Sequence, residues 1–320
     1  MTLLVVSAAA AAIAMPHRLP LGGVPPMLGA SIWLLALALR ALACVFAAIF
    51  ILLFLPATRL FELLTHWCWH AVLPLIDTDL PLDGHKLGDT ATLLPGLFLM
   101  VSTGSVIWAL ARTAHAVHNM MRGRALSGGP MGSMIVPDGH VLVAAAGVRR
   151  PAVVISAGAL CAFDDEELAA SVDHERGHIA RRHRLLLVVG QICRTVGRFV
   201  PGGTQALAQL HFHLERDADE YALARHNDPL ALASAICKAA RGSAPATVPL
   251  ALEGDGNVVE RLQLLMTGSP RGRRALQCAV MVMAVAMATL TVALIAAVPA
   301  VASAGAHSVA VAQPFVHCPN

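Results

Sequence analysis

The sequence predicts a mainly α membrane protein: four transmembrane helices with a cytoplasmic α+β domain between the third and the fourth. Three observations predict it. Hydrophobic residues make up 57% of the 320 and charged residues 13%, with a mean hydropathy of +0.66, too apolar for a soluble domain. Four apolar runs stand at about 2–16, 33–56, 92–111 and 275–302. Between the last two, 113–274 alternates helix, strand and turn signals as a folded domain does.

The first run, 2–16, is short for a span. A signal peptide has that length, but no basic segment precedes this one. Gly22, Gly23, Pro25 and Pro26 then make a turn-rich link. The second run contains Arg40. An intramembrane Arg is by default a functional candidate. Here the long apolar stretch after it lets a slightly shifted span carry the guanidinium to the near face, so snorkelling is expected. The loop 57–90 holds five acids (Glu62, Asp77, Asp79, Asp83, Asp89) against Arg59 and Lys86. His66, Cys68 and His70 alternate there with Trp67 and Trp69, which reads as an interfacial aromatic cluster rather than a metal site.

Basic residues set the topology. Arg112, Arg122 and Arg124 follow the third run, and Arg271, Arg273 and Arg274 precede the fourth. By the positive-inside rule both flanks are cytoplasmic. The acidic loop and both termini are then outside, with 303–320 a short outer tail.

Inside 113–274, the Gly-, Pro- and Ser-rich 126–138 reads as a linker, and 140–146 and 151–157 as paired strands. Asp164 and Glu167 form a D-x-x-E capping box, and Leu168 opens an apolar face. No Pro interrupts 164–183, and Gly177 is its only Gly. This helix carries His174-Glu175-Arg176-Gly177-His178, an H-E-x-x-H pattern. With 15 His in the chain, composition alone produces one such pattern in roughly 2% of sequences, so the helical context matters. Residues i and i+4 share a helix face, so His174 and His178 point at one ion. Imidazole suits zinc, whose catalytic sites keep three protein ligands and one open position. Glu175, beside that position, is placed to take a proton from the attacking water and later give it to a leaving amine.

A third ligand is offered by Glu215, and Asp219 four residues on is placed to accept the free N–H of a ligand histidine. Apolar segment 184–200 is too short and charged to span and is core or membrane-resting. Further helices are expected at 204–226, 229–240 and 257–267, with a loop at 242–256. His183 is expected to turn off the zinc face and Asp217 to face away. His211, one turn before Glu215, and Tyr221, the only phenol, are candidate transition-state stabilisers. No nucleotide-binding glycine motif is present, and no direct nucleic-acid binding is expected.

H-E-x-x-H followed by E-x-x-x-D resembles the gluzincin metallopeptidases. The lead-in VAAAGVRRPAVVISAGAL at 143–160 resembles the strand–turn–strand before the zinc helix in two integral-membrane families, the HtpX and CAAX-prenyl-protease group and the BlaR/MecR group. Three spans, a zinc domain and a fourth span are the layout of the BlaR/MecR type, which implies that 2–16 is a membrane helix. The resemblance implies one zinc ion held by His174, His178 and Glu215, and a bacterial cell-membrane location. It also implies a cytoplasmic protein substrate such as a small DNA-binding repressor, with self-cleavage possible in principle. Arg261 resembles a late site-facing Arg, a further candidate stabiliser. Val153, Val154, Ile155, Ser156 and Ala157 are the expected substrate edge strand.

One departure from that family is large. Antibiotic-sensing members carry a penicillin-binding domain after the last helix, whereas the residues here are too few to fold one. No S-x-x-K motif is present, so covalent β-lactam binding is not expected. The seven Cys form no C-x-x-C. Cys161, Cys193 and Cys237 should stay reduced in the cytoplasm, and Cys68 and Cys318, on the outer side, are a candidate disulfide.

Overall fold

The computed structural model describes residues 10, 13–18, 21–54, 93–124, 127–147, 151–242, 255–267 and eight positions within 280–289. The loop 57–90 with His66, Cys68 and His70, the tail with Cys318, most of 242–256, and most of the first and fourth expected spans lie outside them.

The described chain is mainly helical with one small mixed sheet. Helix α1 runs Pro26–Phe54 and helix α2 Leu94–Arg124. Both contain stretches long and apolar enough to cross a membrane, Pro26–Ile49 and Leu94–Arg112. α1 starts earlier than the apolar run because Pro26 suits a first helical turn: its fixed φ is already helical and no N–H is left unpaired. The backbone N–H groups of Leu28 and Gly29 both reach the Pro25 carbonyl. α2 exposes Leu94, Leu97, Phe98, Met100, Val101, Ile107 and Trp108.

Strands β1 (Ser127–Gly128), β2 (Met134–Val136), β3 (Val143–Ala146) and β4 (Ala152–Ser156) follow, in the order β1-β2-β4-β3. β2 runs parallel to β4, pairing Ile135 with Ile155. β3 runs antiparallel to it, pairing Ala145 with Val153. Two expectations are corrected. The supposed linker 126–138 supplies two strands, and because β2 covers one side of β4, residues 153–156 are interior to the sheet rather than its edge. Ala157 is not in a strand. It opens helix α3 (Ala157–Ala162), capped by the Ser156 hydroxyl, which accepts from the Ala159 N–H. β3 is the edge.

Helix α4 (Asp165–Ala180) begins at the expected capping box: Asp164 accepts from the Glu167 N–H, and Glu167 from the Asp164 N–H. Glu167 also accepts from Lys238 at 2.6 Å and from Ser234 at 2.5 Å. Both belong to helix α7 (Pro229–Gly242), which is thereby fixed to the start of α4. α4 ends short of His183. Arg182 adopts a left-handed φ of 55°, which breaks the helix, and helix α5 (His183–Val196) restarts at once. Helices α6 (Gly203–Leu223) and α8 (Asp255–Thr267) complete the chain up to the last described positions.

Two apolar clusters position α4, and a third sets the helices behind it. Val153, Ile155, Leu168 and Val172 join it to the sheet. Ala170, Ala222 and Leu232 join it to α6 and α7. The largest cluster sets α1 against α6, through Ile32, Trp33 and Leu37 with Leu207, Leu210 and Leu214, and buries Val280 and Met287 as well. The contact is close: a Cβ at Gly29 of α1 would come within 2.4 Å of the His213 ring on α6.

Arg40 does not snorkel. It is 1% exposed and donates to the carbonyls of Ala36, Ile13 and Pro201, with His17 Nε2 at 2.7 Å. Pro201 lies in the turn between α5 and α6. That turn, the preceding segment and α1 itself bring acceptors to the guanidinium, which removes its need for a water-facing position.

Candidate metal centre

α4 and α6 meet where Gly177 faces Ala218 and Tyr221. A Cβ at Gly177 would lie 3.1 Å from Tyr221 Cβ and 3.2 Å from Ala218 Cα, so only glycine allows this approach without displacement. The approach brings Glu215 of α6 to the histidines of α4. His174 Nε2 and His178 Nε2 stand 3.2 Å apart. Glu215 Oε2 lies 3.4 Å from the first, and Oε1 lies 3.3 Å from the second. Among the described residues this is a group of donor atoms that could hold a metal ion, all within 4.8 Å of one another.

The atoms behind this trio are tied down. His174 Nδ1 lies 2.9 Å from Asp219 Oδ1. Arg261 of α8 donates through Nε and Nη2 to both Asp219 oxygens and through Nη1 to Glu215 Oε2 at 2.8 Å. Burial opposes charge on Glu215 and Asp219. The Arg261 guanidinium, with the histidines, outweighs it and holds both carboxyls below their ordinary range. Burial also opposes charge on His174, yet Asp219 and Glu215 push its pKa up to about 10. Glu215 thus stands ionised on the Nε2 side of the histidines and Asp219 on the Nδ1 side of His174. That donor set, two imidazoles and a carboxylate, suits zinc.

Glu175 points from α4 to the sheet edge, where Oε2 accepts from the Ala145 N–H at 2.7 Å. Arg184 of α5 donates to the carbonyls of Ala145 and Gly147. In the antiparallel β3–β4 pair these Ala145 groups face outward from the sheet, as the Leu142–Ser156 backbone bond next to them requires. The edge beside the metal centre is therefore β3, with its outward groups held by Glu175 and Arg184.

The other candidates are placed as follows. His211 Nε2 lies 4.0 Å from Glu215 Oε1, and burial lowers its pKa. Tyr221 is not at the centre: its hydroxyl accepts from Arg225 at 2.5 Å. Arg261 is a salt-bridge partner of both carboxylates. His213 is fully buried against α1, and burial, with Arg216 nearby, lowers its pKa to about 3.

His183 and Asp217 are not among the converging donor atoms, but they stand directly behind His178 rather than apart from the site. His183 Nδ1 is 2.9 Å from His178 Nδ1, its Nε2 is 2.9 Å from Asp217 Oδ2, and Arg181 pairs with Asp217 Oδ1. On one continuous helix His183 would lie well round from His178. The break at Arg182 swings it back, and periodicity does not encode that. No family model, curated protein or solved structure matches the chain.

Proposed function

We propose that the chain is an integral-membrane zinc endopeptidase. The observation that carries this reading is the convergence of His174, His178 and Glu215, with Glu175 directed from the same helix to the edge strand β3. His174, His178 and Glu215 would hold a zinc ion, which would supply Lewis acidity toward a carbonyl and a water. The remaining work belongs to the chain. Glu175 takes a proton from the attacking water and passes it to the leaving amine. β3 receives the substrate as an added strand through the outward groups of Ala145. Asp219 orients His174, and Arg261 holds Asp219 and Glu215 in place.

Four spans, a cytoplasmic zinc domain and both termini outside remain the proposed layout, supported by two apolar helices and the basic flanks. By resemblance to the BlaR/MecR type, the substrate is a cytoplasmic protein such as a small DNA-binding repressor, and self-cleavage is included. An HtpX-like quality-control protease is the alternative within the same chemistry. A second reading, a transducer whose zinc domain only binds, is favoured by one observation: Glu175 is engaged by the β3 backbone.

The test is metal content together with proteolysis of a co-expressed protein, for the detergent-purified wild type beside Glu175→Gln. One zinc in both, with cleavage only by the wild type, supports the peptidase. Zinc without cleavage by either supports the binding reading. No zinc in either ends both.

A further inference from the structure

We infer that His183 and Asp217 are positioning residues for the metal centre, fixing which nitrogen of His178 faces the ion. The inference rests on the metal-site reading above and adds a hydrogen-bond chain that ends outside it.

The chain is directional. Asp217 is 1% exposed, and its Oδ1 is paired with Arg181. An ionised carboxylate only accepts, so His183 Nε2, 2.9 Å from Asp217 Oδ2, carries the proton. The other nitrogen of His183, Nδ1, lies 2.9 Å from His178 Nδ1, so His178 meets the site with Nε2, the atom that faces His174 Nε2 and Glu215 Oε1. A His178 that gives its Nε2 lone pair to an ion carries its hydrogen on Nδ1, and His183 Nδ1 is placed to accept it. His183 is 0% exposed, so water does not readily replace it. The ring planes of His178 and His183 meet nearly at right angles, at 84°, so each ring also limits the rotation of the other.

The two ligand histidines are thus oriented by different means. His174 meets the Asp219 carboxylate directly, whereas His178 meets Asp217 through a second imidazole. Residues that orient ligand histidines in this way commonly govern metal affinity by about 10–100-fold.

The test compares full-length wild type, His183→Ala, His183→Asn and Asp217→Asn in detergent. Zinc affinity is read by competition with a chromophoric chelator, and melting of the metal-free protein is read in parallel. Asn places its Oδ1 near the position of His183 Nδ1, so it keeps an acceptor for His178 while losing Asp217. The expected result is a loss of about 10–100-fold in zinc affinity for His183→Ala, recovered to within a few-fold by His183→Asn, with a smaller loss for Asp217→Asn. Equal affinity in the wild type and all variants overturns the inference. So does equal weakening by Ala and Asn that tracks a fall in melting temperature, because that is the pattern of a histidine serving only the core. If His183→Ala does not fold, the Asn and Asp217 variants carry the comparison. Absence of zinc from the wild type overturns the inference together with the metal site. The expected order of affinities without proteolysis upholds the inference and overturns only the peptidase reading.

Discussion

The carboxylate of Glu175 accepts a hydrogen bond from the Ala145 N–H at 2.7 Å, joining the helix that carries both ligand histidines to the outermost strand of the sheet. Gln in place of Glu keeps an acceptor for that N–H and removes the basicity. Glu175→Gln should therefore melt within a degree or two of the wild type and retain its zinc. Its turnover of a cleavable protein should fall by about 10²–10⁴-fold, the range that general acid–base groups contribute. An unchanged rate would remove Glu175 from the mechanism.

Arg184 holds the carbonyls of Ala145 and Gly147 at 2.7 and 2.8 Å. A peptide adding to β3 needs the Ala145 carbonyl for its own N–H, so Arg184 must release it first. Arg184→Ala should lower KM for a peptide substrate by a few-fold and leave kcat nearly unchanged, as expected for a residue that competes with binding alone. A fall in kcat with KM constant would instead place Arg184 in the chemistry.

Glu167 ties the α4 cap to α7 through Lys238 and Ser234. Burial raises its pKa, and the Lys238 ammonium, the Ser234 hydroxyl and the Asp164 N–H together overcome that and lower it. A group lowered by folding stabilises the protein above its unfolded pKa of about 4.5, and that contribution disappears as pH falls through the lower folded value. Glu167→Gln should therefore cost about 1–3 kcal/mol at neutral pH. The gap between variant and wild-type melting temperatures should narrow below about pH 4. A gap constant from pH 7 to pH 3 would contradict the assignment.

Gly29 leaves the notch that His213 fills. Gly29→Ala should destabilise the detergent-solubilised protein by about 1–3 kcal/mol, the usual cost of overpacking. His213→Ala on top of it should restore part of that loss, because the ring is what the new methyl strikes. Additive losses measured by melting would show that the two residues do not meet.

Legibility from sequence divides by the range of the interaction. The Asp164–Glu167 cap, the face shared by His174 and His178, and the pairing of Glu215 with Asp219 all lie within one or two helical turns, and the spacing states them. The sheet was half legible. β4 is a run of apolar residues, but β2 is three residues inside a Gly- and Pro-rich stretch and is recognisable only by its parallel partner, so β4 reads as an edge when it is interior. His183 was illegible for another reason. Arg182 stands at φ 55°, a conformation that costs a non-glycine residue about 1–2 kcal/mol, and every periodicity argument assumes the helix continues through it. Arg40 reads as a misplaced charge because its Pro201 acceptor is 161 residues away.

Arg40 also has a mechanical meaning. One guanidinium fastens α1 to the preceding segment at Ile13 and to the α5–α6 turn at Pro201, and eleven residues earlier Gly29 is keyed to His213. The two fastenings are about 16 Å apart along the axis at the helical rise per residue. With two points fixed, α1 cannot slide along α6 without breaking one of them. Glu215 sits two residues beyond His213 on that same α6. A tilt imposed on the apolar shaft therefore bears directly on the helix that carries the carboxylate.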